Sequence, residues 1–261
     1  MNKLEVVLTK LNEIELSCDR NESLQFIGIK AKLLVTIIFL LSLLSLSIYN
    51  LPSIIMHMIY PIFLCSCGGL NYIKIFKHSL VVLPFVLFIG ILNPFYDIKP
   101  FICIGSVTLS YGWISFISII LRGVVSAQAI MILIESSGFN KVILAINSFG
   151  VPSILTMQLL FVYRYIYVLL NEALSMHRAR ISRSFGKSSY SIKTWSILIG
   201  QLFLRAIEHS NAIHQAMLSR GFSGNIPCVH SNKWNIRDSI FLFVWICVFT
   251  LIHLLSYSHI L

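Results

Sequence analysis

The sequence predicts an all-α integral membrane protein, with five or six transmembrane helices and long amphipathic helices on the cytoplasmic side. Three observations carry this. Hydrophobic residues fill 57% of 261 positions and charged residues only 11%. Four long stretches, 33–73, 78–96, 100–121 and 239–261, contain no Asp, Glu, Lys or Arg. The basic residues fall almost wholly on one side of the resulting spans, as the positive-inside rule requires.

The elements follow in chain order. The opening, MNKLEVVLTKLNEIELSCDRNESLQ, is polar and lacks the early apolar core of a cleaved signal peptide. Residues 1–30 are therefore expected to be a cytoplasmic segment. The stretch 33–73 is about twice the ~20 residues that cross hydrocarbon. Asn50-Leu51-Pro52 divides it into spans at 33–49 and 53–70. With spans at 79–96 and 109–134, residues 31–135 hold four transmembrane helices. A fifth, at 239–257, occupies the C-terminal segment 238–261. With the N-terminus in the cytoplasm, 5 basic residues precede Leu33, 2 more are Lys74 and Lys77, and 11 lie from Lys141 to Arg237. Only Lys99 falls outside, and Arg122 lies within a span.

Residues 136–237 form the cytoplasmic or interfacial region. Its 11 basic residues face only Glu172 and Glu208, which localises most of the net charge of +10. FNKVILAINSFGVP reads as a short amphipathic helix ended by Gly150 and Pro152. A long helical pattern runs from Ser153 to Arg183. Its apolar part, ILTMQLLFVYRYIYVLL, is 17 residues and stands at the short limit for a sixth span. Crossing there would place Arg178, Arg180, Arg183 and Lys187 outside, so it reads as a helix packed on the membrane domain or lying at its inner surface. After Gly186-Lys187-Ser188-Ser189 a second helix, about Ser191 to Arg220, carries Trp195, Leu198, Ile199, Leu202, Phe203 and Ala206 on one stripe, continued by Ile213 and Met217.

The two long helices end alike. Ala179 opens A-R-I-S-R-S-F and Ala216 opens A-M-L-S-R-G-F. In each, two small residues and an arginine fall at i, i+3 and i+4 on one helical face. An arginine in a last turn is favourable by itself, by about 0.3–1 kcal/mol against the macrodipole. Two copies closing two amphipathic helices point instead to docking, with small residues allowing close approach and a five-donor guanidinium suited to a carboxylate.

With these motifs the chain resembles the T component of energy-coupling-factor transporters, in the cobalt-type, CbiQ-like branch, over about residues 24–257. That family carries two A-x-x-A-R-G motifs at the ends of cytoplasmic coupling helices. Lys30-Ala31-Lys32-Leu33-Leu34, Asn93-Pro94-Phe95, Leu121-Arg122, Gly150-Val151-Pro152, Tyr163-Arg164-Tyr165, Glu172-Ala173 and Arg220-Gly221-Phe222-Ser223-Gly224 also match in order. Serine replaces the second alanine in both motifs, and Ser184 replaces the first glycine. The resemblance implies that Ala179, Ser182, Arg183 and Ser184, with Ala216, Ser219, Arg220 and Gly221, dock two ATP-binding-cassette ATPases. It implies a separate substrate-binding membrane subunit as a further partner and a prokaryotic cell membrane as the location. It also implies uptake of cobalt or nickel, with another micronutrient such as a vitamin as the alternative cargo.

Nothing in the sequence reads as a site for chemistry. There is no G-x-x-x-x-G-K-(S/T), H-E-x-x-H or G-x-S-x-G, so ATP hydrolysis is expected in the partner ATPases and no cofactor, catalytic residue or metal ligand is assigned to this chain. His209 and His214 are five apart and do not share a helix face. His57, between Met56 and Met58, reads as a hydrogen-bonded core histidine, and the six scattered cysteines, Cys65 and Cys67 among them, as small hydrophobes. Arg122 should face protein, with Glu135 and Glu172 as candidate partners. A membrane-embedded enzyme would need Glu, His and Asp clustered at membrane depth. A scaffold binding anionic lipid would use the arm's cations about equally, whereas the transporter reading singles out two.

Overall fold

A chain in hydrocarbon must satisfy its backbone internally, and long apolar runs do so as helices. The structure, a computed structural model, describes residues 27–96, 100–104, 107–183, 192–222 and 234–258. In order these form α1 (Ile29–Ser45), α2 (Leu51–His57), α3 (Ile59–Gly68), α4 (Tyr72–Ser79), α5 (Leu83–Gly90), α6 (Asn93–Tyr96), β1 (Pro100–Ile104) and β2 (Val107–Ser110). There follow α7 (Tyr111–Ser137), α8 (Phe139–Asn147), α9 (Ser153–Arg183), α10 (Ile192–Ser219) and α11 (Ile236–Ser258). The chain divides into two units, Ser17–Ala145 with Asn232–Leu261, and Met1–Leu16 with Ile146–Ser231. The first contains α1 to α7 and α11; the second contains α9 and α10.

Among the described residues, five helical stretches are long and apolar enough to cross a membrane: Leu51–Gly68, Tyr72–Gly90, Gly112–Ser137, Ser153–Arg183 and Ile236–Ser256. Helix α1, with 17 residues, is about 25 Å long and sits at the lower bound for a span. Several boundaries differ from the sequence reading. Helix α1 begins at Ile29 and takes in Lys30 and Lys32. The second apolar run is broken at Met58, between α2 and α3. The third begins at Tyr72, so Lys74 and Lys77 are helical, and it ends at Gly90 instead of running to Tyr96. A 3₁₀ turn at Leu80–Val82 joins α4 to α5, next to Pro84, whose missing N–H interrupts the α-helical ladder. Among the described residues the all-α expectation holds apart from one antiparallel hairpin, β1–β2, with Ile102 opposite Leu109 and Cys103 opposite Thr108. Its residues, FICI and VTLS, are rich in β-formers and flank Gly105-Ser106, a two-residue hairpin signal within a run read only as apolar.

The core of the first unit lies between α1, α3, α7 and α11. Val35, Phe39 and Leu43 recur every fourth residue along α1 and meet Tyr60, Leu64, Val125, Ala129, Ile132, Trp245 and Phe249. Phe39 stacks on Tyr60 at 4.6 Å, and Trp245 meets Tyr60 edge-on at 4.8 Å, geometries favoured by the ring quadrupoles. The outward faces remain apolar: Leu41, Leu44, Phe85, Phe88, Phe243 and Leu254 are exposed, as expected of helices that meet lipid. A Cβ on Gly123 of α7 would stand 2.6 Å from Val86 of α5, so glycine there permits the close approach of two apolar helices.

Candidate functional site

The two motif-bearing helices end where the sequence places them, with α9 running Ser153–Arg183 and α10 Ile192–Ser219. Ala179, Ser182 and Arg183 are all exposed, as are Ala216, Ser219, Arg220 and Gly221; Ser184 lies outside the described residues. The serines that stand for alanine behave alike. Ser182 Oγ donates to the Arg178 carbonyl at 3.1 Å and Ser219 Oγ to the Gln215 carbonyl at 3.0 Å. Each hydroxyl is thus turned back onto its own helix, four residues earlier, and leaves an alanine-like surface outward.

The second end is closed by a complete Schellman motif. Gly221 is left-handed at φ 77°, its N–H bonds the Leu218 carbonyl at 3.0 Å, and the Phe222 N–H bonds the Met217 carbonyl at 3.1 Å. Arg220 therefore sits at the C-cap, where the helix dipole favours its cation. Among the described residues neither Arg183 nor Arg220 meets a carboxylate, so both guanidinium forks remain available. One feature escaped the sequence reading although it was visible there. The third position of each motif is a branched aliphatic, Ile181 and Leu218, and both are exposed. Each end thus offers an apolar side chain beside a cation.

Helices α9 and α10 meet at a crossing. Glu172 pairs with Arg205, and the His177 ring stacks on Trp195 with centroids 6.0 Å apart and planes 22° apart. The later residue of α9 meets the earlier residue of α10, so the helices run past one another in opposed senses. At 1.5 Å per residue, Arg183 lies about 16 Å beyond Glu172, and Arg220 about 22 Å beyond Arg205. The arginine ends therefore point away from each other. One acidic group cannot hold both; two separate grooves can.

The other polar residues of interest have structural partners. Arg122 Nη2 donates to the Leu46 and Ser47 carbonyls at 2.7 and 2.8 Å, not to either proposed carboxylate. The orphan carbonyls at the end of α1 need donors, and a cation suits that end of the dipole. Glu172 is engaged by Arg205 within the arm. His57 is fully buried, with Nδ1 2.8 Å from the Ser53 carbonyl and Nε2 2.9 Å from Ser42 Oγ. A carbonyl can only accept, so Nδ1 carries the proton and Nε2 accepts from the serine. His209 and His214 are exposed on α10, and among the described residues no group of three His, Cys, Asp or Glu side chains could hold a metal ion.

The chain thus combines helices long and apolar enough to cross a membrane with a two-helix arm that carries twin arginine ends. The chain belongs to the CbiQ family, described as cobalt transport protein, whose sequence profile matches residues 23–230. It is 29% identical over 243 residues to an uncharacterized protein of Methanocaldococcus jannaschii, covering 88% of this chain and 81% of that one. It is 28% identical over 155 residues to the energy-coupling factor transporter transmembrane protein EcfT of Staphylococcus aureus, covering 55% of this chain and 58% of that protein. The resemblance to CbiQ-like T components, read from the two motifs, is met by these matches.

Proposed function

We propose that this T component couples two ABC ATPases to a substrate-binding membrane subunit, and that the transporter imports cobalt or nickel ions. Arg183 and Arg220 dock into acidic grooves on the two ATPases, with Ala179, Ser182, Ala216 and Ser219 providing the close surface and Ser184 and Gly221 following each arginine. ATP-driven closure of the ATPases then moves the arm, and through it the subunit that holds the ion. The chain lies in a prokaryotic cell membrane with its N-terminus and arm in the cytoplasm. The observation that carries this reading is the pair of exposed, divergent A-x-x-S-R ends, which call for two similar partners. The family's description supports the ion.

Truncating one member of a buried charge pair costs about 2–5 kcal/mol, at least a ~30-fold loss of affinity. The test is affinity purification of the tagged chain co-expressed with its genomic neighbours, wild type beside Arg183→Glu/Arg220→Glu. The wild type should bring an ATPase pair and a small membrane subunit, and the double variant should lose the ATPases. ATPases retained by the double variant would refute the docking assignment. Radiolabelled cobalt uptake by the purified wild-type complex in proteoliposomes then tests the ion.

A further inference from the structure

The α9–α10 crossing precedes the motif on each helix and joins the two docking helices to each other. Its contacts are confined. No described residue of α10 is buried, and on α9 the buried positions beyond Thr156 are Leu174 and His177, one turn apart. Large apolar residues stay exposed ahead of the crossing on α9, at Val162 and Ile166, and between its two contacts on α10, at Phe203 and Leu204. Two rods joined over about 8 Å of α9 and 15 Å of α10, with ends about 16 and 22 Å beyond the ion pair, form a lever.

We propose that the Glu172–Arg205 ion pair and the His177–Trp195 stack are the pivot of the arm, four positioning residues that relay displacement of one arginine end to the other. This rests on the coupling reading above. The chemistry at the crossing suits a pivot better than a weld. Glu172 and Arg205 are 27% and 55% exposed, and an ion pair so open to solvent contributes little to folding. It does fix which points of the two helices stay together. The His177 ring, 6% exposed, lies near-parallel to Trp195 in an offset stack, a contact without a directional bond. Its Nδ1 is buried with no hydrogen-bond partner among the described residues. A buried orphan nitrogen is unfavourable, and here no directional bond at the ring opposes turning.

The experiment uses the assembled transporter, with ATPases and substrate-binding subunit, in proteoliposomes. Co-purified ATPase, ATP hydrolysis and radiolabelled cobalt uptake are measured for Glu172→Arg, Arg205→Glu, the exchanged pair carrying both, His177→Phe and His177→Ala. The single charge reversals should keep their ATPases and hydrolysis but lose uptake several-fold, and the exchanged pair should regain it. His177→Phe, which keeps the stack, should transport; His177→Ala should not. The pivot is overturned if the single reversals transport normally, if the exchanged pair stays inactive, or if the ATPases leave with the single variants. Failure of the coupling reading has a different signature, because ATPases would then remain on Arg183→Glu/Arg220→Glu.

Discussion

One carboxylate organises two helix starts. Asp238, 3% exposed, accepts the Gly28 N–H on Oδ1 at 2.6 Å and the Asn235 N–H on Oδ2 at 3.1 Å. Asn235 precedes α11 and Gly28 precedes α1, so the same anion caps both N-termini and lies at the positive end of both dipoles. The buried Lys32, one turn into α1, lies within its electrostatic reach. A Cβ at Gly28 would stand 2.5 Å from Asp238 Oδ2, so even alanine displaces the carboxylate. Asp238→Ala should destabilise the protein by about 1–3 kcal/mol through two orphaned donors and an uncompensated lysine, and Gly28→Ala by a comparable amount. Thermal unfolding in detergent measures both. Unchanged midpoints would show that the two N-termini find other acceptors. Asp238 was legible in the sequence as the residue bounding the last apolar run, but its hold on Gly28 spans 210 residues and was not.

At the scale of the element, helix ends decide most of what the spans require. Helix α1 stops at Ser45, inside an apolar run with no glycine and no polar cap, and Arg122 from the middle of α7 supplies the missing donors. Hydrogen bonds from a charged group contribute about 1.5–3 kcal/mol each. Arg122→Met should therefore lower stability by at least ~2 kcal/mol, and Arg122→Lys by less, since one ammonium keeps the charge but loses the fork. Chemical unfolding of the purified protein separates these cases, and an Arg122→Met protein as stable as wild type would contradict the cap. That Arg122 needed a protein partner followed from its place in a span. The partner was not legible, because candidate side chains can be read from a sequence while backbone carbonyls freed by a helix end cannot. The boundaries of α9 and α10, by contrast, were legible to within a residue, since both helical patterns run through the motifs to their arginines.

For the whole molecule the open variable is the side of the membrane. Helix α9, with 31 residues, is about 46 Å long and apolar enough to cross, yet 11 basic residues between Lys141 and Arg237 argue that the arm stays inside. A cysteine placed at Ser182 or Ser219, with the native cysteines removed, should react with a membrane-impermeant maleimide in inside-out vesicles and not in intact cells. Labelling of Ser182→Cys from outside would make α9 a true span and reverse the assignment of the first docking end. The sequence alone determined the membrane class, the helical arm and the two arginine ends. Each follows from local composition and periodicity, which the solvent reads directly. Only the tertiary structure decided that Arg122 closes α1, that Asp238 joins the first and last described helices, and that Glu172 pairs with Arg205. Those are pairings through space between residues far apart in the chain, and the distances that select one partner over another exist only once the helices have packed.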